Sequence, residues 1–113
     1  MENCIFCEIK KGNIPSEKLY EDDLIFVIND ISHLAKKHYL IIPKEHFKCL
    51  NEVNQERLDV IRHIYEILPK LEKKLGLEDG YRIVINQREN AGQSVPHLHF
   101  HILGGERLSD KFN

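Results

Sequence analysis

Pro96-His97-Leu98-His99-Phe100-His101-Ile102-Leu103-Gly104-Gly105 alternates three histidines with three apolar residues and ends on two glycines. Period-two alternation is the strand signal, so His97, His99 and His101 share one face and Leu98, Phe100 and Ile102 the other. At strand rise His97 and His99 stand ~6.6 Å apart. A polar solvent face is one explanation for such a row. Three of the chain's seven histidines fall within five positions, however. An active-site strand accounts better for that clustering, because imidazole serves as nucleophile, proton carrier or metal ligand near neutral pH.

The neighbouring segments supply the rest of a sheet. Tyr81-Arg82-Ile83-Val84-Ile85-Asn86 predicts a strand, and the polar loop 87–95 joins it to the histidines as an antiparallel hairpin. Upstream, Lys18 to Glu21, Leu24 to Ile28 and His38 to Ile42 predict three more strands, the last stopped by Pro43. Residues 4–11 predict a short helix with Ile5, Phe6 and Ile9 on one face, ended by Gly12-Asn13. Residues 44–50 form a connecting turn that carries His46 and Cys49. Asn54 caps one long helix. Its core stripe is Leu58, Ile61, Ile64 or Tyr65, Leu68, Leu71 and Leu75, and Gly76 takes the left-handed C′ position. Pro69 inside that helix predicts a kink near Tyr65. The sum is an α+β fold: a five-stranded antiparallel sheet, one long helix over one face, and one or two short helices.

The chain has 113 residues, the size of one domain (1–113) with one core. A net charge of -2 gives no argument for a nucleic-acid backbone or an anionic membrane as partner, and neither is expected. No apolar run approaches the ~20 residues of a membrane span, and Met1-Glu2-Asn3-Cys4 lacks the character of a signal peptide. Three cysteines, an odd count, speak against a disulfide framework, so the expected location is the reducing cytoplasm.

Two further constellations carry chemistry. Gly92-Gln93-Ser94 sets a flexible backbone and a hydroxyl just ahead of the histidines, a pattern that suits an anion. Cys4-x-x-Cys7 has zinc-ligand spacing and needs two more donors, from among His46, Cys49 and His97. A thioredoxin-type redox pair is the rival, but it belongs near a βαβ unit that this chain does not predict; free thiols are the third reading. His33 and His63 read as surface or rim residues.

Gly92-Gln93-Ser94-Val95-Pro96-His97-Leu98-His99-Phe100-His101-Ile102-Leu103 resembles the signature of the histidine triad (HIT) family, His-x-His-x-His-x-x with x apolar. Cys4-Ile5-Phe6-Cys7, Tyr20-Glu21-Asp22-Asp23, Asn29-Asp30-Ile31-Ser32, His38 to Lys44 and Gly80 to Asn86 follow in order as in its Hint branch. The resemblance implies nucleotidyl transfer to a histidine, with His99 as nucleophile. It implies that His101 bonds the phosphate oxygens, His38 orients the site, and Ser94 contacts the phosphate or assists the leaving group. Asn86, Gly92 and Gln93 would complete the anion pocket. On the nucleoside side it implies Asn29, Asp30 and Ile31, with Asp30 on the ribose hydroxyls; an Asx turn is the alternative role for Asp30. Phe6 and Phe26 stand among the apolar residues expected to wall the base, with Ile5, Ile9, Ile14, Ile28 and Leu40.

For the metal, the resemblance implies structural zinc on Cys4, Cys7, His46 and His97, with Cys49 in place of His97 as the alternative. It further implies a homodimer joined into a ten-stranded sheet, the long helices at the interface. The expected activity is hydrolysis of a purine nucleoside phosphoramidate. The alternatives are a dinucleoside polyphosphate hydrolase of the diadenosine tetraphosphate type and a non-catalytic nucleotide-binding zinc protein. The Hint branch often carries a C-terminal tryptophan beside the partner's active site; this chain has no Trp. The leaving group, the base and the pathway are not legible in the residues.

Overall fold

A computed structural model describes residues 4–112. In chain order it has α1 (Ile5–Lys11), β1 (Tyr20–Glu21), β2 (Ile25–Asn29), β3 (Lys37–Pro43), α2 (Gln55–Leu75), β4 (Tyr81–Val84) and β5 (Phe100–Gly104), with 3-10 turns at Leu50–Glu52 and Glu89–Ala91. The five strands form one antiparallel sheet in the order β1-β2-β3-β5-β4.

The sheet separates two apolar layers. On one face Ile25, Val27, Ile41, Phe100 and Ile102 pack with Val60, Ile64 and Leu71 of α2. On the other, Phe26, Ile28, Leu40 and Ile42 pack with Cys4, Phe6, Cys7 and Ile9 of the α1 region. Strands β2 and β3 are therefore covered on both sides, which is why they read as continuous apolar runs rather than alternating ones. His101 pairs with Leu40 across β3 and so lies on the α1 face.

The ends of α2 fall where its caps stand. The Asn54 side chain accepts from the Arg57 N–H at 2.9 Å. Gly76 is left-handed at φ 68°, and the Lys37 ammonium donates to the carbonyls of Leu75 and Gly76 at 2.9 and 3.0 Å. The helix continues through Pro69, which is exposed.

Four expectations need correction. In the core stripe of α2, Ile64 and Leu71 are buried and Ile61, Leu68 and Leu75 pack against the core as expected, but Leu58 is 48% exposed and Val60 is buried in its stead. Ile5 is exposed, and Phe6, Cys7 and Ile9 form the buried face of α1. Strand β4 ends at Val84, not Asn86. Most important, His97 and His99 precede β5 instead of lying in it. Among the described residues, no helix is long and apolar enough to cross a membrane.

Candidate active site and metal centre

His99 sits on the extended run leading into β5 and is buried. Its Nδ1 lies 2.7 Å from the carbonyl oxygen of His97. A carbonyl only accepts, so Nδ1 carries the proton and Nε2 keeps the lone pair. No fully buried side-chain nitrogen or oxygen lacks a partner among the described residues. The unbonded Nε2 of His99 therefore reaches solvent.

A second chain of bonds sets the other tautomers. The Leu34 N–H donates to His38 Nδ1 at 3.1 Å. His38 therefore holds its proton on Nε2, which faces His101 Nδ1 at 2.9 Å. His101 in turn carries its proton on Nε2, a donor with no protein partner among the described residues. The register permits this contact: His38 pairs with Leu103, two residues beyond His101 on the same face of β5. Burial pushes His101 down to about 4, and the neighbouring His99 and His38 add to it. Burial also lowers His38, against the opposing pull of Asp30. Both imidazoles are neutral at pH 7.

Asp30 closes this group. Its Oδ2 lies 3.3 Å from His38 Nε2 and 3.7 Å from His101 Nδ1. Its Oδ1 accepts from the Ser32 N–H at 2.8 Å and the Ser32 hydroxyl at 2.7 Å. Burial works to raise its pKa, but the Ser32 bonds and the two histidines outweigh that and hold it below the usual carboxylate range. The Asx turn that was the alternative role for Asp30 is present, and it uses only one of the two oxygens.

The loop before the histidines differs from expectation. Gly92 is left-handed at φ 78°. Its N–H goes to the Glu89 carbonyl at 2.9 Å, and the Gln93 N–H goes to the Arg88 carbonyl at 3.0 Å. Neither is left to cradle an anion. Ser94 is exposed, and neither its N–H nor its hydroxyl has a protein partner among the described residues. The side-chain amide of the half-buried Asn86 is likewise unpaired.

Cys4, Cys7, His46 and His97 bring one donor atom each into a common cluster. Cys4 Sγ is 3.4 Å from His97 Nδ1, Cys7 Sγ is 3.3 Å from His46 Nδ1, and the two Nδ1 atoms are 3.1 Å apart. A tetrahedral ion with two sulfur and two imidazole ligands sets donors roughly 3.3–3.8 Å apart. The cluster fits one metal ion. His97 Nε2 donates to the Pro43 carbonyl at 2.8 Å, which leaves Nδ1 as the free ligand atom. Burial pushes His97 down to about 4, so it is neutral. Burial, with Cys4 beside it, pushes the Cys7 thiol up to about 11; a bound cation reverses that preference. Cys49 is buried but lies outside the group. Cys4 also caps α1, accepting from the Cys7 N–H at 3.4 Å.

Phe6 links the two centres, edge-on to His97 at 5.7 Å and to His99 at 5.1 Å between ring centroids. Phe26 is 0% exposed and packs in the same cluster as Phe6, Ile9, Ile28 and Ile42. Asn29 is exposed at the end of β2, and Ile31 is 92% exposed beside Asp30. His63 is more than a rim residue: its Nε2 meets Asp22 Oδ2 at 2.6 Å and ties α2 to the turn before β2. A cavity of about 620 Å³ bordered by Lys37, Gly76, Tyr81 and Arg82 involves none of these histidines. Sequence reasoning missed Leu34, whose contribution is a backbone N–H. It also missed Ser32, although Asp30-Ile31-Ser32 has the spacing of a side-chain-to-backbone turn.

A model of the HIT domain matches residues 11–108. Protein HitA of Neisseria gonorrhoeae is 39% identical over 104 residues, which cover 92% of this chain and 97% of that protein. The purine nucleoside phosphoramidase of Escherichia coli K12 is 38% identical over 108 residues, covering 95% of this chain and 91% of that enzyme. Among solved structures, a HIT family hydrolase from Clostridium thermocellum superposes with a TM-score of 0.93 at 41% identity, covering 100% of this chain and 99% of that one. A histidine triad protein from Clostridium difficile gives 0.91 at 38%, covering 99% and 98%. The chain belongs to the histidine triad (HIT) family.

Proposed function

We propose that this chain hydrolyses purine nucleoside phosphoramidates through a nucleotidyl-histidine intermediate on His99. The observation that carries the reading is the 2.7 Å bond from His99 Nδ1–H to the His97 carbonyl, which frees Nε2. The phosphoramidase name of the Escherichia coli relative supports the substrate class. Nε2 attacks the α-phosphorus, a bond forms between them, and the phosphorus–nitrogen bond to the amine breaks. The departing amine takes a proton from water or through Ser94. The His101 Nε2–H, the Ser94 hydroxyl and the Asn86 amide bond the phosphate oxygens. Water then cleaves the phosphorus–imidazole bond, releasing the nucleoside monophosphate and restoring His99. Asp30 and Asn29 hold the ribose, with Ile31 and Phe6 towards the base. His38 keeps His101 in its working tautomer.

In this reading the ion on Cys4, Cys7, His46 and His97 is zinc, and its role is structural. With four protein ligands it ties α1 to the His97 segment. A homodimer through the outer edge of β4 and the exposed Leu58 and Tyr65 of α2 accords with the exposure of those two residues. Three free cysteines suit a reducing, cytoplasmic location.

The test is to trap a nucleotidyl adduct with a slow substrate and locate it by mass spectrometry. Label on His99 is the expected result; an adduct elsewhere, or none during measurable turnover, overturns it. Turnover of diadenosine tetraphosphate in preference to adenosine-5′-phosphoramidate would retain the chemistry and replace the substrate.

A further inference from the structure

Arg88 has φ 69° and ψ -172°, a backbone region essentially reserved for glycine. An arginine there is strained, and something must hold it. Gln93 does so from both sides. Its Oε1 accepts from the Arg88 N–H at 2.8 Å, and its own N–H donates to the Arg88 carbonyl at 3.0 Å. The same side-chain amide donates through Nε2 to the Lys48 carbonyl at 2.7 Å and the Val95 carbonyl at 3.2 Å. Lys48 stands two residues after His46. A parallel brace runs from the Leu50 N–H to Gln87 Oε1 at 2.6 Å, and the Leu98 N–H reaches the Phe47 carbonyl at 2.7 Å. The 87–98 segment is thus laced to 47–50, with Gln93 at the crossing point.

We propose that Gln93 is a positioning residue: its side-chain amide holds the strained Arg88 turn closed and so aims Ser94 and the His97–His99 run at the substrate. This rests on the phosphoramidase reading and names what orients its phosphate loop. The Gln93 side chain satisfies both of its amide hydrogens and one oxygen lone pair on backbone groups, so it acts through the loop and not on the phosphate. Strain at Arg88 makes the loop open when the clamp is removed. Glycine at 88 adopts the same torsions without strain, so it lessens the need for the clamp. The two positions are therefore energetically coupled.

The experiment is a double-mutant cycle on the full chain with adenosine-5′-phosphoramidate as substrate. Thermal unfolding and metal content are measured alongside. Q93A is expected to lower kcat by about 10- to 100-fold, with KM moving less than about 3-fold and metal content retained. R88G stays within about 3-fold of the wild-type kcat, and R88G/Q93A stays within about 3-fold of R88G. A wild-type kcat for Q93A overturns the proposal. So does additivity, with R88G/Q93A falling as far below R88G as Q93A falls below wild type. If the wild-type chain turns over no phosphoramidate, the functional reading fails by itself, and hydrogen exchange then judges the clamp. Q93A must speed exchange across residues 88–98 while α2 keeps its protection; an unchanged pattern overturns it.

Discussion

His99 donates its Nδ1 proton to the carbonyl of His97, its neighbour but one, across 2.7 Å. The bond decides which nitrogen of a buried imidazole keeps its lone pair, and it comes from the backbone of a residue whose own ring faces the Cys4, Cys7 and His46 donors. His99→Ala is expected to lower phosphoramidate hydrolysis by roughly three orders of magnitude or more. Nucleotide binding, followed by titration with adenosine monophosphate, should persist. Retained turnover in this variant would remove His99 from the chemistry.

His101 makes stability depend on pH. Its folded value, pushed down to about 4 by burial and by His99 and His38, lies below the ordinary histidine value of 6.5. Between those values the unfolded chain binds more protons, so stability rises with pH over that window. His101→Asn is expected to lessen the rise of urea-derived stability between about pH 4 and 6.5. An unchanged slope would contradict the burial argument.

Asp22 adds to the same trend at lower pH. Burial works to raise its pKa, but His63, the Leu24 and Ile25 N–H groups and the Tyr20 hydroxyl outweigh that and hold it at about 2. That lies below the ordinary aspartate value of 3.8. The stabilisation, about 2 kcal/mol, is complete above the unfolded value and is lost as pH falls through the folded one. Asp22→Asn should abolish that acid limb between about pH 4 and 2, and His63→Ala should diminish it. Urea titrations across the range read both.

The metal centre should govern both stability and catalysis. Protein purified without chelator is expected to carry roughly one equivalent of zinc. Cys4→Ser should lower metal content and Tm together. It should also lower kcat, because Phe6 packs on both His97 and His99. Metal analysis that finds none, with both thiols freely titratable, would dispose of the site.

The sequence by itself determined what depends on local chemistry. Asn54 and Gly76 marked the ends of α2, because a cap is made by the residue and its own helix. Period-two alternation assigned Phe100 and Ile102 to the α2 face and His101 to the opposite one. Cys4, Cys7, His46 and His97 were legible as a donor set from residue type, spacing and the family resemblance.

Tertiary structure decided the rest. The β3–β5 ladder stops at the Ile41–Phe100 pair, and beyond it the Pro43 carbonyl accepts from His97 Nε2. Released from the ladder, His97 turns towards Cys4 and Cys7, while His99 takes the carbonyl that His97 leaves behind. Leu58 and Val60 exchanged places because a broad apolar stripe does not say which of its edges meets the sheet. The tautomers of His38 and His99 rest on the Leu34 N–H and the His97 carbonyl. Nearly every residue carries those backbone groups, so only the fold determines which of them a histidine meets.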